Sequence, residues 1–179
     1  MKHDQLIDAC SRNDRKAQME IYQRYYRAMY NVSLRILGNT QEAEDVMQES
    51  FLSAFQKIGT YRGEVTFGAW LKKIVINRSL DVIKTRKSLI SLESVPDMPD
   101  EGNDDAPMAF GEITPEMISN AIAALPDGYR VVLTLYLLEG FDHDEIAGIL
   151  QISNATSRTQ YHRARKKLVS SLKELKAVS

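Results

Sequence analysis

A single cysteine, Cys10, stands among 179 residues, which excludes an internal disulfide and any cysteine-built zinc site. The three histidines, His3, His143 and His162, are too scattered for ligand spacing, so no metal and no cofactor is expected. No stretch approaches the roughly 20 apolar residues of a membrane helix, and the opening MKHDQLIDACSRND lacks the apolar core of a signal peptide. The expectation is a cytoplasmic protein without membrane insertion. Phosphate-cradling loops, dinucleotide glycine fingerprints and nucleophile elbows are missing, and the carboxylates are scattered, which argues against an enzyme. Runs of alternating apolar and polar residues long enough for a strand are also missing. What remains is an all-α chain.

The residues that are present have the composition of a globular protein, 44% hydrophobic and 26% charged. Their net charge of -1 conceals an asymmetry. Between Ser88 and Tyr129 there are nine acidic residues and no Lys or Arg, which leaves 23 basic against 15 acidic residues elsewhere. Basic modules suited to a polyanion, joined by an acidic tether, are one reading, and ordinary solvated charge is the other. Three prolines, two glycines and a loss of periodicity mark 88–113 as the tether. Two small helical domains result, at 1–87 and 114–179.

Caps and stops divide the first domain. A short helix is expected over Asp4 to Cys10, and a second from Asn13 or Asp14 to Gly38, where glycine takes the left-handed cap. Thr40 is expected to cap a third helix, with Ala43, Val46, Met47, Phe51, Ala54, Phe55 and Ile58 on one face and Gly59 as its stop. A fourth, Phe67 to Lys87, is expected to bury Phe67, Trp70, Leu71, Ile74 and Val75. In the second domain Thr114-Pro115-Glu116 restarts helix. Helices are then expected over Pro115–Ala124, Asp127–Glu139 with Gly140 as stop, His143–Leu150 and Asn154 to about Leu175.

The last two helices form the clearest motif. Asp142 and Glu145 make a capping box, Phe141 and Ile146 a hydrophobic staple, and Ser153 caps the next helix after a short turn. That is a helix-turn-helix. Its second helix places Arg158, Thr159, His162, Arg163 and Lys166 at spacings of three and four, beginning from Asn154. Arginine reads guanine bidentately in a major groove and lysine suits phosphate, although basic residues also favour helix ends for electrostatic reasons.

Two features of the first domain suggest contact with partners. The loop Gly59-Thr60-Tyr61-Arg62-Gly63 precedes a helix bearing Trp70, Lys73, Asn77 and Arg78, a combination able to stack single-stranded bases and neutralise phosphates. Tyr61 is the expected stacking residue, whereas Trp70 is expected in the core. The segment Glu42 to Glu49 places Asp45, Gln48 and Glu49 on one flank beside the apolar Val46, a surface suited to a protein partner.

Around these residues the chain resembles the extracytoplasmic-function group of bacterial RNA polymerase sigma factors. Glu44-Asp45-Val46-Met47-Gln48-Glu49-Ser50-Phe51 is similar to the acidic segment of sigma region 2 that docks on core polymerase, which implies that role for Asp45, Val46, Gln48 and Glu49. Tyr61-Arg62-Gly63 with Phe67, Trp70-Leu71, Ile74 and Asn77 is similar to the promoter-melting loop and helix. The resemblance implies −10 element contacts for Tyr61, Arg62, Gly63 and Asn77, with Lys73 and Arg78 beside them. Ala124-Leu125-Pro126 through Leu168 resembles region 4, implying −35 element contacts for Asn154, Arg158, Thr159, His162, Arg163 and Lys166. Core RNA polymerase, promoter DNA and an anti-sigma factor are the implied partners. The sequence departs from the family pattern at Gln151, where glycine is usual, and at Ser157 and Gln160, where valine and a basic residue are usual. A helix-turn-helix regulator acting on duplex DNA without polymerase is the alternative reading.

Overall fold

The structure is a computed structural model that describes residues 3–86 and 113–178, with side chains over 5–86 and 113–174. All but the last residue of the expected tether falls outside the described residues. Among the described residues every regular element is helical: α1 (His3–Ser11), α2 (Arg15–Leu37), α3 (Thr40–Lys57), α4 (Phe67–Thr85), α5 (Pro115–Ala123), α6 (Asp127–Leu133), α7 (His143–Leu150) and α8 (Asn154–Val178). The chain divides into two compact units, Met1–Thr85 and Arg86–Ser179.

In the first unit α2, α3 and α4 pack on one another and α1 lies on α2. Local chemistry sets the ends. Asp14 accepts from the amides of Lys16 (2.8 Å) and Ala17 (3.2 Å), and Gly38, at φ 66°, donates its amide to Leu34 (2.8 Å). The expected cap of α3 shifts by one residue. Asn39, not Thr40, holds the extended capping conformation and accepts from the Glu42 amide at 3.0 Å, because the left-handed Gly38 has already turned the chain there. Gly59 does not end α3 either. A 3₁₀ turn at Ile58–Thr60 incorporates it, and Thr60 Oγ1 donates to the Lys57 carbonyl at 2.7 Å, so a tightened turn satisfies the helix end.

The core of this unit follows the apolar stripes, with two displacements. On α3, Ala43, Val46, Met47, Phe51 and Ala54 are buried, and Phe55 is half-buried. On α4, Phe67, Leu71 and Val75 are buried as expected, but Trp70 and Ile74 are only half-buried. Ile76, Ser79, Leu80 and Ile83 occupy the interior instead. At 100° per residue these lie on the opposite side of the helix from Trp70 and Ile74. The buried Ser33 hydroxyl lies 2.9 Å from the carbonyls of Tyr30 and Ala43, tying α2 to α3 without an orphaned group.

In the second unit α8 packs against α5, α6 and α7. Thr114 caps α5 by accepting from Met117 (3.2 Å), with Pro115 at the first helical position. Ile122, Leu125, Tyr129, Leu133 and Ala164 form the core, with Tyr161 and Leu168 against it. Arg130 is buried, and its guanidinium donates to the carbonyls of Ala123 (3.2 Å) and Leu125 (2.6 Å) while pairing with Asp127. It thereby satisfies the carboxyl end of α5 from the first turn of α6. The helix expected over Asp127–Glu139 changes at Thr134 into a π-helical turn, Thr134–Leu138, and Glu139 donates to Thr134 at 3.0 Å. Gly140, at φ 78°, ends it.

Candidate nucleic-acid interface

The flank of α3 is the first surface. Asp45, Gln48 and Glu49 are exposed, but Val46 is 3% exposed and belongs to the core. Its expected contact with polymerase is therefore corrected: it anchors the helix that presents its neighbours. Leu52, which sequence reading missed, lies on the same face as Asp45, Gln48 and Glu49 and is 64% exposed. An apolar side chain amid acids is what a partner's apolar surface would cover. Its only sequence signal was an apolar residue off the buried stripe.

The second surface is built by the loop before α4 and the outer face of that helix. Tyr61 donates its hydroxyl to the Val65 carbonyl at 2.7 Å and so closes the loop, while Gly63 sits at φ 73°, where a side chain would be strained. Thr66 caps α4, accepting from Ala69 at 3.3 Å. Tyr61 is not a free platform. Its ring meets Phe67 edge-on (5.5 Å) and tilts against Trp70 (5.5 Å), with Phe67 and Trp70 at 5.4 Å from each other. Tyr61 of the loop and Trp70 of α4 thus form one half-exposed aromatic wall, backed by the buried Phe67, and Trp70 belongs to it instead of the core. A Cβ on Gly68 would approach Tyr25 Cε1 at 3.0 Å, so glycine there lets the Tyr25 ring pack beside Phe67. Burial raises the Tyr25 phenol above its usual range.

Arg62, Lys73, Asn77 and Arg78 are exposed around that wall. Arg78 also pairs with Glu49 at 3.5 Å, joining two side chains expected to serve different partners. Both are more than 40% exposed, so the pair adds little stability by itself. Aromatic faces, an amide and three cations, Arg62, Lys73 and Arg78, can stack an unpaired base, hydrogen-bond its edge and neutralise the adjoining phosphates.

The third surface is the helix-turn-helix. The capping box is complete: Glu145 donates its amide to Asp142 Oδ1, and Glu145 Oε2 accepts from the Asp142 amide, both at 2.8 Å. Gln151 adopts the left-handed conformation at φ 57°, and Ser153 Oγ accepts from Thr156 at 3.0 Å to start α8. Ser157 is fully buried, and its hydroxyl is hydrogen-bonded to His143 Nδ1 at 2.9 Å. The imidazole stacks on Tyr136 (4.5 Å, 17°) and meets Tyr161 edge-on (5.7 Å). Burial, then the Arg158 charge, push His143 below its usual 6.5 against the pull of Asp142 and Asp144.

On the opposite face of α8, Arg158, Thr159 and His162 are exposed, while Asn154, Arg163 and Lys166 are half-buried. Asn154 and Arg158 are brought together: Arg158 Nε donates to Asn154 Oδ1 at 2.7 Å. Asn154 Nδ2 in turn donates to Asp144 Oδ1 at 2.6 Å. Thr159 Oγ1 donates to the Ala155 carbonyl at 2.9 Å. Gln160 is buried.

An all-α protein with a capped helix-turn-helix in one unit belongs to the helix-turn-helix class of DNA-binding folds. Residues 21–89 match the family model of Sigma-70 region 2 and residues 116–168 that of Sigma-70, region 4, together more than half of the chain. The chain is 29% identical to the RNA polymerase sigma-H factor of Pseudomonas aeruginosa, over 96% of this chain and 94% of that protein. It is likewise 29% identical to the ECF RNA polymerase sigma factor SigW of Bacillus subtilis, over 94% and 96%. Among solved structures it is similar to the sigma factor RpoE from Bartonella quintana in complex with the anti-sigma factor NepR, at TM-score 0.57 and 20% identity over 87% and 96% of the two chains. CnrH in complex with the cytosolic domain of CnrY is similar too, at TM-score 0.55 and 21% identity over 94% and 96%. The chain belongs to the extracytoplasmic-function sigma factors of the sigma-70 family, and its function is that of a sigma factor in transcription initiation.

Proposed function

We propose that this sigma factor divides its work among the three surfaces, in domains bounded at 1–87 and 114–179. The α3 flank, Asp45, Gln48, Glu49 and Leu52, binds core RNA polymerase. Tyr61, Arg62, Gly63, Lys73, Asn77 and Arg78, with Trp70 added, hold the melted −10 element. Thr159, His162, Arg163, Lys166 and Arg158 read the −35 element in the major groove. The observation that supports this most is the half-exposed pair of Tyr61 and Trp70, backed by the buried Phe67 and on the same helix face as exposed Asn77, because a duplex-only regulator has no use for a half-exposed stacking surface.

No catalytic residue is invoked. Extruding a base costs a few kcal/mol, which stacking and phosphate neutralisation supply. Among the described residues no helix is long and apolar enough to cross a membrane, and the reading has the protein working in the cytoplasm beside its polymerase. An anti-sigma partner also belongs to this reading, since the similar RpoE from Bartonella quintana is held by one.

The test is run-off transcription with sigma-free core polymerase on sheared genomic DNA, with and without this protein. Discrete transcripts that depend on the protein are expected. Their absence, together with tight sequence-specific binding of duplex DNA by the protein alone, would overturn the reading in favour of a regulator.

A further inference from the structure

We propose that Asp144 and Asn154 are positioning residues that aim the Arg158 guanidinium at a guanine and thereby set base preference at one position of the −35 element. The inference rests on the reading of α8 as the −35 helix. Asp144 lies in the first turn of α7, where an acid needs no explanation beyond the helix dipole. Its side chain, however, reaches across the turn of the motif to Asn154 in the first turn of α8.

The order of donors and acceptors does the aiming. An ionised carboxylate can only accept, so Asn154 must present Nδ2 to Asp144, at 2.6 Å. That contact removes the flip available to an isolated amide and turns Oδ1 to the next helical turn. There it accepts from Arg158 Nε at 2.7 Å, four residues along α8. With Nε occupied, the two terminal amino groups of Arg158 remain as the parallel pair that matches N7 and O6 of guanine. An arginine already held at Nε also loses less rotamer freedom on docking than one that swings freely. Asn154, expected from the sequence to contact DNA, instead uses both ends of its amide within the protein.

The experiment uses holoenzyme assembled from core polymerase and the full chain, on a promoter recovered in the run-off assay with each −35 base substituted in turn. Arg158→Ala is expected to abolish guanine preference at one position. Asp144→Ala and Asn154→Ala are expected to reduce that same preference about three- to tenfold and to leave other positions unchanged, a fraction of the discrimination a bidentate pair provides. Asp144→Asn, whose amide can donate as well as accept, no longer fixes the Asn154 amide and is expected to show part of the same loss, whereas Asn154→Ala keeps the Asp144 charge, so a dipole role would leave the preference intact there. The double variant Asp144→Ala/Arg158→Ala should match Arg158→Ala alone.

Uniform loss at all positions on Asp144→Ala, or a loss that adds to that of Arg158→Ala, would overturn the relay and leave Arg158 as the reader. No position-specific effect of Arg158→Ala would overturn the reading of this residue itself. Should Asp144→Ala lose helical circular dichroism, Asn154→Ala, exposed to the same comparison, decides the matter.

Discussion

At the scale of single residues, the two surfaces of the first unit are separable because their side chains hang on different helices. Asp45, Gln48 and Glu49 project from α3, whereas Lys73, Asn77 and Arg78 project from α4. Charge reversal of Asp45 and Glu49 is expected to weaken binding to core polymerase by about tenfold or more, measured by fluorescence titration. Tyr61→Ala and Asn77→Ala are expected to leave that affinity unchanged but slow open-complex formation by roughly tenfold, the worth of one stacked base. Permanganate footprinting of unpaired thymines would measure it, and equal effects of all four changes on both assays would contradict the division. The Arg78–Glu49 pair adds a finer expectation. Arg78→Ala should leave core affinity intact, because an exposed pair carries about 0–1 kcal/mol. Cys10 is no handle for any of this: burial, with Asp14 and Glu20 nearby, raises its thiol to about 11 and keeps it protonated at neutral pH.

At the scale of elements, the turn between α7 and α8 stores a backbone cost and the contact between them carries a titration. Gln151 sits at φ 57°, a conformation that costs a side-chain-bearing residue about 1–2 kcal/mol. Gln151→Gly is therefore expected to stabilise the second unit by about 1 kcal/mol, read from urea unfolding; a loss of stability would show that the Gln151 side chain contributes more than the strain costs. The His143–Ser157 hydrogen bond ties α7 to α8 where the two helices cross. His143 is lowered in the folded protein, so the folded state binds its proton less readily than the unfolded chain. Its contribution is present above the ordinary value near 6.5 and is lost as pH falls through that value toward the lowered one. The groups around it are Asp142 and Asp144 of its own helix, Arg158 and Tyr161 of α8, and Tyr136 of the π turn. Unfolding midpoints are expected to drop on the acid side of this window in the unaltered chain and to flatten there in His143→Gln.

At the scale of the whole molecule, each compact unit carries a core and closing hydrogen bonds of its own. In the first, Ser33 joins α2 to α3; in the second, Arg130 joins α5 to α6. Fragments 1–87 and 114–179 are expected to unfold cooperatively when produced separately, followed by helical circular dichroism. The first should retain core polymerase binding and the second duplex binding, with an affinity that falls steeply as salt rises. A fragment that is unfolded alone would show that its unit needs the other.

Most of what acts within about four residues was legible in the amino-acid sequence, the cap at Asn39, the 3₁₀ turn through Gly59 and the π turn at Thr134–Leu138 excepted. Asp14, Thr114, Ser153 and the Asp142–Glu145 box start their helices as read, Gly38 and Gly140 end theirs, and Gln151 takes the left-handed turn. The exposed faces bearing Asp45, Asn77 and Arg158 follow from the 3.6-residue period in the same way. Tertiary packing decided the rest. Trp70 and Ile74 lie on an apolar stripe yet are only half-buried, because α2 and α3 cover the opposite side of α4. Val46 sits among interface acids yet is interior, and Arg130 is buried because carbonyls at the end of another helix need its donors. Ser157 meets His143 fourteen residues away and Asn154 meets Asp144 ten residues away. No local pattern announces such pairs, since each depends on where two helices cross, and the crossing is set by the shape of the whole core.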